Sequence, residues 1–173
     1  PTELGKLTDL LQVRLDNNAL TGTIPIELGK ITALNEVYAF NNTLTGALPT
    51  ELGGWTKLSI LHLYNNSLAG PIPTELGKLT DLLQVRLDNN ALTGTLPTEL
   101  GAWNALIFLA MQNNQLTGSL PTEIGLMTSL QLIVLLQNFM NGTLPSELGH
   151  LPSLQALFLS NNSFTGILPD LRN

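Results

Sequence analysis

The residues of this chain able to do chemistry are a column of glutamates, two histidines and two arginine–aspartate pairs. Glutamate recurs every 24 residues as Glu3, Glu27, Glu51, Glu75, Glu99, Glu123 and Glu147. A string of carboxylates suggests hard cations, but the further oxygen ligands that calcium requires do not recur at fixed offsets. The expected role is instead to cap the first turn of a short helical segment, where a carboxylate meets free N–H groups, with Lys6, Lys30 and Lys78 nearby. His62 and His150 could act as bases or ligands, yet no nucleophile or carboxylate is placed to orient His62. Arg14 with Asp16, and Arg86 with Asp88, stand two residues apart. On an extended strand each pair shares a face, and an exposed pair of this kind contributes about 0–1 kcal/mol. There is no cysteine, so thiolate chemistry, disulfides and cysteine-bound zinc are excluded. No enzyme, cofactor or metal site is expected.

The elements that position these residues come from one period. Among the 173 residues, proline stands at Pro1, Pro25, Pro49, Pro73, Pro97, Pro121, Pro145 and Pro169, which divides the chain into seven units of 24 with five residues over. Numbered from its proline, each unit is apolar at positions 4, 7, 10, 13, 15, 20 and 24. The spacing of two between 13 and 15 is that of a strand, and the spacing of three across 4, 7 and 10 suits a short 3₁₀ turn. Such a unit cannot bury its apolar edge alone, so neighbours must stack around a continuous core with a parallel sheet along one side. Asparagine at position 18 in all seven units is expected to satisfy the backbone where the chain leaves the strand. Positions 5 and 22 hold fourteen of the fifteen glycines, where turns need positive φ or close approach. By strand spacing His62 and His150, four repeats apart, are separated by about 19 Å and cannot share a metal or a proton.

The pattern L-x-x-L-x-L-x-x-N-x-L-x-G-x-[IL]-P resembles the leucine-rich repeat, in the 24-residue form of plant receptor-kinase ectodomains, polygalacturonase-inhibiting proteins and diatom repeat proteins. The resemblance covers the whole chain. It implies an α/β leucine-rich repeat solenoid, with a concave parallel β-sheet, a second short strand after position 20 and 3₁₀ segments on the convex side. It also implies an extracellular or cell-surface place and a non-enzymatic binding role. The cysteine-bearing caps of family ectodomains are not in this sequence, so residues 1–173 are expected to be one repeat array within a longer protein.

Function is then expected on surface columns. With 13 and 15 turned inward, positions 12, 14 and 16 face the concave side. Five of the nine aromatic residues fall in those three columns: Tyr38, Phe40, Tyr64, Phe108 and Phe158. Rigid aromatic area on an exposed sheet is favoured at interfaces. Repeats 1 to 4 present Arg14, Asp16, Tyr38, Phe40, His62, Tyr64, Arg86 and Asp88, a polar and aromatic field suited to a peptide or glycan. Repeats 5 to 7 present Phe108, Leu132, Val134, Leu136 and Phe158, an apolar patch that something should cover. The expected partner is a protein or peptide, with a glycan as a further option; the competing reading is an adhesive segment that self-associates through the apolar patch. Residues 1–24 and 73–96 differ only at Ile24 and Leu96, so the same Gln-Arg-Asp face is expected twice.

Two further patterns stand outside that face. Threonines flank Gly22 and its equivalents, as in Thr21 and Thr23 or Thr93 and Thr95, an array like those of ice-binding repeat proteins, interrupted at Ala47, Ala69, Pro71 and Ile167. Sequons at Asn41, Asn65, Asn141 and Asn161 allow N-glycosylation on exposed turns. Thirteen acidic against seven basic residues give a net charge of −6 without a basic cluster, which argues against nucleic acid. No apolar run reaches the roughly 18 residues of a membrane span.

Overall fold

The computed structural model describes residues 2–170; Pro1 and residues 171–173 lie outside them. The proline that opens each of the seven units is followed by a 3₁₀ turn: Thr2–Lys6, Ile26–Lys30, Thr50–Gly54, Thr74–Lys78, Thr98–Ala102, Thr122–Leu126 and Ser146–His150. A first strand comes next, in turn β1 Gln12–Arg14, β3 Glu36–Tyr38, β5 Ile60–His62, β7 Gln84–Arg86, β9 Phe108–Ala110, β11 Leu132–Val134 and β13 Ala156–Phe158. A second strand closes each unit: β2 Thr21–Thr23, β4 Thr43–Gly46, β6 Ser67–Pro71, β8 Ala91–Gly94, β10 Gln115–Gly118, β12 Phe139–Thr143 and β14 Ser163–Thr165. The odd strands form one parallel sheet of seven and the even strands another.

The turns are 3₁₀ because their bonds span three residues, as in Leu28 N–H to Pro25 O at 3.1 Å and Ile31 N–H to Leu28 O at 3.0 Å. In the six turns from Ile26–Lys30 onward the preceding proline has φ near the helical value, −66° at Pro25. Each glutamate from Glu27 to Glu147 stands in the first turn of its segment, but the carboxylate takes no hydrogen bond from a backbone N–H of the turn. Glu51 instead accepts a hydrogen bond from the Thr50 hydroxyl at 3.3 Å, and Glu75, Glu99, Glu123 and Glu147 repeat the arrangement. The two glycine columns serve different needs. A Cβ on Gly77 would stand 2.6 Å from the Glu99 carbonyl oxygen of the next turn, so that column is fixed by close approach. Gly46 has φ +76°, and its column is fixed by the left-handed backbone.

The two sheets differ in register. In the first, equivalent positions face each other, as Val13 faces Val37 and His62 faces Arg86. In the second, position 21 faces position 19 of the next unit, as Thr21 faces Thr43 and Thr45 faces Ser67. The offset is therefore 24 residues on the concave side and 22 on the other, a stagger that the repeat length does not announce.

Between the sheets and the turns the apolar columns form one core, in which Leu52, Leu58, Leu61, Leu76, Leu82 and Val85 are completely buried. Trp55 and Trp103 are buried in the position-7 column, and each indole N–H donates to a carbonyl of the preceding unit, Leu28 O and Leu76 O, at 2.8 Å. The asparagine column performs the expected role. Asn90 accepts from Leu68 N–H at 3.0 Å and donates to Leu63 O and Leu87 O at 3.1 Å, so one amide ties its own turn to the preceding unit. Ala39 stands in the position-15 column where six other units carry Leu or Met. A cavity of about 70 Å³ lies there, lined by Val37, Leu44, Trp55 and Leu63 among others.

Candidate functional site

The concave sheet presents its columns as alternation dictates, with Val37, Leu61 and Val85 buried beneath half-buried residues on either side. On it, the residues of repeats 1 to 4 form a connected network. The Arg14 guanidinium lies over the Tyr38 ring, 4.4 Å from its centroid. Tyr38 meets the His62 ring edge to face at 5.3 Å. Phe40 and Tyr64 stack in parallel at 4.5 Å, and the Arg86 guanidinium covers Tyr64 at 3.7 Å. Gln12 donates to Glu36, whose carboxylate also accepts from the Tyr38 hydroxyl at 3.2 Å. Burial, and then the hydrogen bond to Glu36, push the Tyr38 phenol above its usual value.

Arg86 is held from below. Its Nε and Nη2 both donate to the Asp88 carboxylate at 3.1 Å, and the Asn89 amide donates to the same group at 2.9 Å. Asp88 is completely buried, so it acts as a support for Arg86 and is not itself presented. The twin pair does not form the same contact: Asp16 accepts from Asn17 at 2.8 Å, while Arg14 lies on Tyr38. The identical sequences therefore present different faces, which corrects the expectation of a repeated Gln-Arg-Asp surface.

His62 lies at the middle of the network. Burial lowers its pKa below the ordinary imidazole value of 6.5, the neighbouring Arg86 lowers it further, and a hydrogen bond with Gln84 works in the opposite direction. Its Nε2 is buried without a hydrogen-bond partner, as is Oε1 of Gln112. His150 lies at the end of the Ser146–His150 turn, on the other side of the repeat. Among the described residues no group of three or more His, Cys, Asp or Glu is arranged to hold a metal, and no helix is long and apolar enough to cross a membrane.

The predicted apolar residues adjoin this network. Phe108, Leu132, Val134 and Leu136 are half-buried, and Phe158 is 48% exposed. Leu132 faces Phe108 and Val134 faces Phe158 across the ladder, so these side chains form a continuous patch. Ala110, between Arg86 and Val134, is completely buried.

One element of the concave rim escaped sequence reasoning. Position 17 has positive φ in every unit, from 52° at Asn65 to 57° at Gln137 and Asn161. Asparagine in six of these seven places was the available signal, because its side chain tolerates that backbone. Their amides form ladders, Asn65 to Asn41 and Asn41 to Asn17, each at 2.7 Å. Two sequon asparagines, Asn41 and Asn65, are thus rungs of this ladder. Asn141 and Asn161 are exposed.

Comparison with known proteins agrees with this architecture. A family model described as Leucine Rich Repeat matches residues 57–79 and 153–173. No curated protein matches the chain. Among solved structures, the PEPR1–AtPEP1 complex is 36% identical with a TM-score of 0.93, covering 95% of this chain and 23% of that one. The Arabidopsis receptor kinase HAESA, solved with the peptide hormone IDA and the co-receptor SERK1, is 35% identical with a TM-score of 0.93, covering 98% of this chain and 28% of that one. A plant ice-binding protein is 26% identical with a TM-score of 0.65, covering 98% of this chain and 70% of that one. The chain spans about a quarter of the length of the PEPR1 and HAESA chains. Seven repeats in phase, two parallel seven-stranded sheets and these matches identify the chain as a leucine-rich repeat protein of the 24-residue plant type.

Proposed function

We propose that this chain is a non-enzymatic recognition module that binds an extended peptide or a protein segment through its concave sheet, outside the cell or at its surface. The observation that carries this reading is the braced field of Tyr38, Phe40, Tyr64, Arg14 and Arg86 running into the apolar patch of Phe108, Leu132, Val134 and Phe158. Ring stacking and the buried Asp88 support hold these side chains before any ligand arrives, which reduces the ordering cost of binding. The seven concave strands span about 29 Å at ~4.8 Å per step, the reach of roughly nine extended residues. Such a ligand would lie with polar residues on repeats 1 to 4 and apolar ones on repeats 5 to 7. A peptide fits better than a glycan: one face of Tyr64 is covered by Phe40 and the other by Arg86, and Arg14 covers Tyr38. Ring edges and hydroxyls are what remain for a partner, whereas sugars stack on open ring faces. The receptor kinase HAESA, solved with a peptide hormone, supports the same class of ligand. Glycans at the exposed Asn141 and Asn161 are part of this extracellular reading.

The test is selection from a displayed random peptide library on the immobilised chain. Enrichment is expected, with at least tenfold weaker capture by Tyr64→Ala and by Leu136→Asp at unchanged circular dichroism. No enrichment, or capture indifferent to both variants, contradicts the proposal. If the apolar patch instead served self-association, light scattering would show oligomers that Leu136→Asp and Phe158→Asp disperse.

A second reading, adsorption to ice, is favoured by the fold shared with a plant ice-binding protein along nearly the whole chain. It would use the second sheet, whose outward side chains differ in kind from those of the concave face.

A further inference from the structure

Positions 19, 21 and 23 are the outward columns of the second sheet, and none of their side chains in the seven repeats is charged. Twelve are threonine or serine. The concave columns, by contrast, carry Arg14, Asp16, Glu36, His62, Arg86 and Asp88, and the turns carry the glutamate column. A face from which charge is missing while hydroxyls recur is suited to an uncharged, regularly spaced partner.

The hydroxyls are also unspent. Thr43 donates to Leu20 O at 3.0 Å and Thr165 to Gly142 O at 3.5 Å. The other ten make no hydrogen bond with the described residues of the protein. Several threonines are held in place from one side. The Thr23 methyl rests over Gly46, where a Cβ would come within 2.7 Å of it, and Thr95 over Gly118 and Thr143 over Gly166 do the same. With the methyl seated on glycine, the hydroxyl is directed elsewhere without the freedom of an ordinary surface rotamer. At Gly46, Gly118 and Gly166 the glycine thus sets the turn and also seats the threonine of the preceding unit, and within the first three repeats the threonine so held is Thr23.

The stagger of this sheet decides which hydroxyls stand together. Thr23 faces Thr45 and Thr45 continues to Ser67, while Thr21 faces Thr43. Five hydroxyls on β2, β4 and β6 are therefore contiguous, about 4.8 Å apart across strands and about 6.6 Å apart along them. Beyond them Pro71 faces Thr93, and Thr117 faces Phe139, which is 64% exposed. The regular array is thus confined to the first three repeats. Water bound at fixed hydroxyls in two dimensions, with methyl groups between them, forms a layer that a growing ice face can incorporate, since equivalent oxygens on ice planes recur at similar intervals.

We propose that Thr21, Thr23, Thr43, Thr45 and Ser67 form the ice-adsorbing surface of this chain, an inference that rests on the second reading above. The experiment is thermal hysteresis of the chain in solution, with Thr45→Lys at the centre of the patch and Thr117→Lys on the interrupted half of the same sheet. Both positions are exposed, and circular dichroism melting verifies that both variants fold. The expected result is a measurable freezing gap for the parent chain, reduced at least tenfold in Thr45→Lys and kept in Thr117→Lys. A parent chain without hysteresis overturns the ice reading and the proposal together. Hysteresis that Thr45→Lys leaves intact overturns the assignment to this patch while the ice reading stands.

Discussion

Repeats 1 and 4 have the same sequence except at Ile24 and Leu96 and the same backbone elements, yet they differ in burial and in the side-chain contacts they make. Leu7, Leu15 and Leu20 are 50%, 38% and 38% exposed, whereas Leu79, Leu87 and Leu92 are completely buried. Among the described residues repeat 4 packs between repeats 3 and 5, and repeat 1 packs on repeat 2. The surfaces diverge for a second reason, which is the neighbouring side chain. Arg14 meets Tyr38 on the next strand and lies on it. Arg86 meets Ala110 on that side, so it turns back over Tyr64 and grips Asp88. In a solenoid the sequence of a unit sets its backbone, and the adjoining units set what its surface presents.

The largest contrast is expected in the core. Leu87→Ala should cost about 2–5 kcal/mol, because a fully buried side chain leaves a cavity between packed neighbours. Leu15→Ala should cost under about 1 kcal/mol. Urea unfolding of both variants measures the difference, and equal costs would break the comparison. A smaller contrast is expected on the face. Asp88→Asn removes the charge that holds Arg86 and should cost about 1.5–3 kcal/mol, with weaker capture of library-selected peptides. Asp16→Asn, in the twin unit, should leave stability within about 0.5 kcal/mol of the parent.

The smallest effect concerns pH. His62 binds its proton less readily in the folded chain than in the unfolded one, for which the ordinary value of 6.5 applies. As pH falls through 6.5 the unfolded chain is protonated first, so stability present at neutral pH is lost toward the lower folded value and then levels off. The melting temperature should therefore fall between neutral and mildly acidic pH, and His62→Gln should flatten that part of the profile. An unchanged slope in the variant would remove His62 from this role.

Much of the fold is written in the period, because stacking demands the same residue at every core position: the proline, asparagine and two glycine columns each correspond to one backbone requirement. The concave columns follow from alternation about Val13 and its equivalents. What the period does not contain is anything that depends on two units at once. Asp88 is buried and bound by Arg86, which faces Ala110 on the next strand, and the second sheet pairs position 21 with position 19 of the next unit. The glutamates stand in the first turn as their column implies, but five of them accept from the adjacent Thr or Ser hydroxyl and not from a backbone N–H.

The central claim is that ligand contact belongs to the concave columns of positions 12, 14 and 16. Amide chemical-shift mapping of the labelled chain with a library-selected peptide tests it most directly. Perturbations are expected on the odd-numbered strands from β3 to β13, centred on Tyr64, Arg86 and Val134, with the 3₁₀ turns and the even-numbered strands unmoved. Perturbations gathered on the turns or on the second sheet would contradict it.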